Sequence, residues 1–110
     1  MDIPRIVQDQ IESKIGQQKV ILLYGTRRTG KTTIIEKIVQ KFLSDALLLH
    51  GEDMQISAIL QNRTIANYQQ LTKGKKIIII DEAQAIPEIG KILKLLIDTI
   101  KGITVVATGS

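Results

Sequence analysis

The chain has 110 residues, a net charge of +4, 44% hydrophobic residues and 3% aromatic residues, which allows one small domain with an aliphatic core. Having no cysteine, it excludes disulfide scaffolds and thiolate metal sites, and its single imidazole, His50, makes no metal site alone. No apolar run approaches the length of a membrane span and residues 1–5 lack a signal-peptide core, so a cytoplasmic location is expected, with no membrane partner. Lysines are spread along the chain rather than gathered in a tail. That balance permits nucleic-acid contact without singling it out, because solvated helix faces carry the same charges.

In chain order, the first predicted element is a helix over 4–15, with Ile3, Ile6, Val7, Ile11 and Ile15 on one stripe, Pro4 in its first turn and Gly16 as its stop. Residues 19–24 read as a strand built on the apolar run Val20-Ile21-Leu22-Leu23, expected to be buried. A helix follows over 31–43, where Ile34, Ile35, Ile38, Val39, Phe42 and Leu43 repeat at helical spacing. Residues 46–50 form a second strand, 54–60 a short helix, and 65–71 another helix or an irregular segment. Lys73-Gly74-Lys75 turns the chain into a third strand, whose four consecutive isoleucines, Ile77 to Ile80, predict burial on both faces. The last helix is expected over 87–100, burying Ile89, Ile92, Leu93, Leu96 and Ile100, and a fourth strand over 103–108.

Between the first strand and the second helix stands Gly25-Thr26-Arg27-Arg28-Thr29-Gly30-Lys31-Thr32, a complete GxxxxGK(S/T) phosphate-binding loop, followed by Thr33. The spacing has a physical reason. Backbone N–H groups must curl inward around phosphate oxygens, which glycine permits, and the helix N-terminus adds partial positive charge at the same place. Lys31 is then the mobile cation for the β- and γ-phosphates, and the Thr32 hydroxyl a ligand for Mg²⁺. The third strand ends in Asp81-Glu82-Ala83-Gln84. Asp81 lies where open α/β sheets bind ligands and fits the second Mg²⁺-holding residue, while Glu82 is placed to accept a proton from an attacking water. These residues point to a nucleoside triphosphate with Mg²⁺.

Strand and helix alternate throughout, so the fold class is α/β: a three-layer P-loop NTPase core with a mostly parallel sheet. One strand intervenes between the two motifs, the pattern of the additional-strand type. In that arrangement the fourth strand inserts between the first and the third, bringing Thr108-Gly109-Ser110 beside the γ-phosphate. The whole chain, 1–110, reads as a single domain.

The strings GTRRTGKTT, HGED, IIIIDEAQAIPEIGKILKLLID and TVVATGS together resemble a family of prokaryotic AAA-superfamily ATP-binding proteins. Its members carry a G-P-R-R-x-G-K-T-T loop, a D-E-x-Q motif with a proline three residues on, and a T-G-S sensor strand; here Thr26 replaces the commoner proline. The resemblance implies ATP as cofactor with Mg²⁺, hydrolysis in the intact family architecture, and a sensor role for Thr108 or Ser110. Longer members continue into a helical or winged-helix region and often a nuclease-like domain. It also implies a fifth strand, an arginine finger and lid helices downstream of Ser110. The given sequence ends there, so weak or absent turnover by this chain alone is expected. A further expectation is an unprotected edge at the first strand that invites self-association.

Several residues keep two readings. Arg27 and Arg28 are solvated, or reach phosphate or a neighbouring protomer. Gln84 orients water or links the acidic motif to the sensor strand, or is an ordinary polar residue at a helix entry. Glu52 and Asp53 are helix N-terminal acids rather than a site. Beside the ATPase stands a second function class, a nucleotide-binding module that signals or assembles without turnover. A small-molecule kinase finds no lid or second-substrate residues to support it.

Overall fold

The computed structural model describes residues 3–14, 16–24 and 31–109, with the backbone alone described at 3–8 and 31–33. In order these form α1 (Ile3–Lys14), β1 (Val20–Tyr24), α2 (Lys31–Phe42), β2 (Ala46–His50), α3 (Met54–Gln61), α4 (Ile65–Leu71), β3 (Ile77–Asp81), α5 (Ile89–Thr99) and β4 (Thr104–Gly109). The strands pair in parallel in the order β1-β4-β3-β2, so the fourth strand does insert between the first and the third.

Side-chain alternation makes the three layers. Ile78, Ile80, Val105 and Ala107 point to one face, where α3, α4 and α5 bury Leu60, Tyr68, Ile92 and Leu96 against them. Ile77, Ile79 and Val106 point to the other, against Ile11 of α1 and Ile34, Ile35 and Ile38 of α2. The four isoleucines of β3 are fully buried because helices cover both sides of the central strand. Chain leaving β1 crosses one face through α2, and chain leaving β3 crosses the other through α5. The C-terminal ends of β1, β4 and β3 therefore share one crevice, the place where sheets of this kind bind ligands.

Three expectations are corrected in detail, and one left open is resolved. β1 is half-exposed rather than buried, with Leu22 and Tyr24 each 55% exposed, because it is an edge strand. Leu43 is 69% exposed instead of joining the α2 stripe: the helix ends at Phe42, and Leu43 turns the chain toward β2 at φ +44°. α5 begins at Ile89 and not at Pro87, since Glu88 adopts a left-handed φ of +61° and breaks the helix start. Residues 65–71 resolve as a regular helix, capped by the Thr64 hydroxyl accepting the Asn67 N–H. Ile15 and the side chains of Ile3, Ile6 and Val7, expected on the α1 stripe, lie outside the described set.

Candidate nucleotide site at the strand C-terminal ends

The site is built where parallel pairing aligns strand ends. Ile80 pairs with Ala107, so the next residues, Asp81 and Thr108, become neighbours. Thr108 is fully buried, and its hydroxyl donates to Asp81 Oδ1 at 2.6 Å while accepting the Glu82 N–H at 3.3 Å. One hydroxyl thereby fixes both the carboxylate rotamer of Asp81 and the backbone of Glu82. His50, paired with Asp81 at the end of β2, brings Nδ1 to 3.8 Å from Asp81 Oδ2, too long for a hydrogen bond.

Glu82 has a left-handed backbone, φ +52°, which is costly for a residue with a Cβ and is kept only where its surroundings fix it. What fixes it includes Gly51. Its N–H donates to the Asp81 carbonyl at 2.7 Å, and a Cβ placed there would lie 2.3 Å from the Glu82 carbonyl oxygen. The chain beyond β3 thus crosses directly over a glycine that has no room for a side chain. A 3-10 turn, Ala83–Ala85, follows and aims Gln84 back. Gln84 Nε2 donates to Glu82 Oε2 at 3.2 Å, and its Oε1 overlies Gly109, where a Cβ would meet it at 2.5 Å. Of the two readings for Gln84, the geometry favours the link between the acidic motif and the end of β4.

Among the other sequence candidates, Asp53 is the N-cap of α3 and accepts the Gln55 and Ile56 N–H groups, a structural role as expected. Gly25, Thr26, Arg27, Arg28, Thr29, Gly30 and Ser110 lie outside the described residues, as do the side chains of Lys31, Thr32 and Thr33. What is described is their setting. β1 ends at Tyr24, paired with Gly109 at the same end of the sheet as Asp81, and α2 begins at Lys31. Gly51 entered the sequence reading only as part of the HGED string and was given no role, because a close backbone approach leaves no local pattern.

Among the described residues no group of three His, Cys, Asp or Glu side chains could cage a metal. Mg²⁺ needs no such cage, since it binds through one or two protein oxygens, substrate phosphates and water. Asp81, held by a hydroxyl at the mouth of the crevice, fits such a partial site.

Fold and site together define a P-loop NTPase-like α/β core with a four-stranded parallel sheet. A family model described as AAA domain matches residues 17–110, and the chain belongs to that family of P-loop ATPase-like nucleotide-binding domains. It is also similar to the uncharacterized protein MJ1544 of Methanocaldococcus jannaschii, with 28% identity over 109 residues. That match covers 96% of this chain and 24% of the relative, so the chain spans about a quarter of the length of the protein it resembles. Among the described residues no helix is long and apolar enough to cross a membrane.

Proposed function

We propose that this chain binds ATP with Mg²⁺ in the crevice at the C-terminal ends of β1, β4 and β3, and that it hydrolyses ATP within the whole protein. The observation that carries the reading is the Asp81–Thr108–Glu82 cluster at the C-terminal ends of β3 and β4, beside the end of β1. Residues 25–33 cradle the phosphates through backbone N–H groups, and Lys31 supplies a point charge to the β- and γ-phosphates. Thr32 and Asp81 hold Mg²⁺, which neutralises phosphate charge when bound. Thr108 holds the Asp81 carboxylate through its hydroxyl, a positioning task for the residue that would ligate the Mg²⁺. Ser110 is the candidate for direct γ-phosphate sensing. Glu82 accepts the proton of the attacking water, its carboxylate steadied by Gln84.

A Glu82→Gln variant of the whole protein tests the chemistry. The amide preserves shape but takes no proton, so bound ATP should persist while turnover falls about 10²–10⁴-fold. Equal turnover by the two proteins would remove Glu82 from the base role. A bound but unhydrolysed nucleotide in both would instead favour the non-hydrolysing module.

A further inference from the structure

The end of the sheet opposite the nucleotide crevice has its own charge pattern. Four loops meet there, preceding β1, β4, β3 and β2, and hydrogen bonds tie them into one face. Gly102 N–H donates to Gln18 Oε1 at 3.2 Å, Lys76 N–H to the Asp45 carbonyl at 2.8 Å, and Thr104 N–H to the Lys76 carbonyl at 3.1 Å. Onto this face project Lys14, Lys19, Lys73, Lys76 and Lys101, all exposed, and the half-buried Lys75. Lys75 Nζ donates to the Ser44 carbonyl, and Lys76 lies 3.9 Å from Asp45, the one carboxylate in these loops. Two acids on the helices above, Glu12 and Asp98, are already engaged, Glu12 with Lys41 and Asp98 with Lys94 at 3.6 Å.

Part of this charge answers the helices. α1, α2, α4 and α5 all end here, and each C-terminus carries about half a negative charge. With Asp45 included, the face still keeps a surplus of about three positive charges. Between its loops runs a groove of about 440 Å³ lined by Gln69, Thr72, Lys73, Lys75, Thr99 and Lys101.

We infer that this face binds the phosphodiester backbone of a nucleic-acid duplex without reading its sequence. The side-chain chemistry selects that partner. Protein interfaces anchor on Trp, Tyr and Arg and are depleted in Lys, and these loops contain none of those three anchors. Membrane-surface binding needs an apolar face, and a single exposed apolar side chain, Leu43, stands at this end among the described residues. Base readout needs Arg, Asn or Gln reaching a groove, and the glutamines of these loops, Gln17 and Gln18, donate instead to the Ser13 and Ile97 carbonyls; single-strand binding needs aromatic stacking platforms, which these loops lack. Lysines alone supply phosphate contacts. Lys19 and Lys76 immediately precede β1 and β3, which lie either side of β4, so at about 4.8 Å per strand they stand about 10 Å apart. That width bridges the phosphates on either side of a minor groove about 6 Å across.

The test is fluorescence anisotropy of a labelled duplex of about 20 base pairs, titrated with this chain between about 50 and 200 mM salt. About five phosphate contacts predict a log–log salt slope near −4.5, with two duplexes of unrelated sequence bound alike. Replacing Lys14, Lys73 and Lys101 together by alanine should raise Kd about tenfold or more at the lower salt and flatten the slope by about three. Should the triple variant fail to fold, Lys73→Ala and Lys101→Ala singly should each flatten it by about one. Lys91→Ala with Lys94→Ala, on the outer side of α5, should change neither. No duplex binding at low salt, binding untouched by the face substitutions, or a preference for vesicles containing phosphatidylserine would overturn the inference.

Discussion

Replacing Gly51 by alanine adds one methyl group at a place where the structure has no room. The new Cβ would sit 2.3 Å from the Glu82 carbonyl oxygen, 2.8 Å from that of Asp81 and 3.0 Å from the Glu82 carbonyl carbon. All three contacts are backbone, so relief requires the turn after β3 to move by about 1 Å rather than a side chain to swing away. Overpacking of this kind costs about 1–3 kcal/mol, which lowers Tm by about 4 °C or more in a domain of this size. The turn that moves is the one that holds Glu82 in its left-handed conformation. A 1 Å displacement of a reacting group costs up to about 100-fold in rate, so turnover of the whole protein should fall further than ATP affinity. Gly90→Ala is the control. It lies within α5 with nothing within 4 Å of a new Cβ, and should stabilise by about 0.5–1 kcal/mol. Thermal unfolding, a nucleotide titration and steady-state turnover of both variants decide the matter. A Gly51→Ala protein with wild-type Tm and turnover would refute the reasoning.

Other predictions follow from separate parts of the molecule. Thr108→Val should keep the fold packed but free Asp81 from its hydroxyl partner, weakening Mg²⁺-dependent affinity more than Mg²⁺-independent affinity; equal loss in both titrations would count against the positioning role. Tyr68 is fully buried, donates to the Leu60 carbonyl, and has its phenol pKa raised above 10.0 by desolvation, with Arg63 opposing. Its contribution to stability is therefore complete below about pH 10 and is lost as pH climbs through the raised value. Tyr68→Phe should flatten that alkaline loss in melts from pH 7 to 11, while costing about 1–3 kcal/mol at neutral pH for the stranded carbonyl. We also propose that the β1 edge, with Leu22 and Tyr24 exposed, supports self-association by strand pairing. Leu22→Lys should shift a concentration-dependent sedimentation profile toward monomer, and a wild-type chain that is monomeric at every concentration would contradict this.

Much of the fold was legible because its signals are local and periodic. Ile77 to Ile80 announced a strand buried on both faces, and Ile92, Leu93 and Leu96 announced the buried face of α5. The motif order also implied that β4 inserts between β1 and β3, which the pairing bears out. Where the sequence misled, the deciding physics was not local. Val20 to Leu23 is as apolar as β3 and read as buried, since five residues alone do not tell an edge from a centre; the expectation of an edge at β1 came from the family's strand order, not from the strand itself. Leu43 continues a helical period that the entry into β2 overrides. Pro87 suits a first helical turn, but the left-handed Glu88 places that start two residues on. In the candidate site, Asp81 and Thr108 were named from motif position. Their hydrogen bond, and the Gly51 contact beneath Glu82, depend on strand register and close approach between segments far apart in sequence.

The central claim is that the loop from Gly25 to Thr32 and Asp81 form one Mg-ATP site. Calorimetric titration of ATP into this chain tests it directly, with and without Mg²⁺, beside Lys31→Ala and Asp81→Asn. The account predicts measurable binding by the wild type, loss of most affinity in Lys31→Ala at unchanged Tm, and loss of the Mg²⁺ effect in Asp81→Asn. Unchanged ATP affinity in a folded Lys31→Ala protein would contradict it.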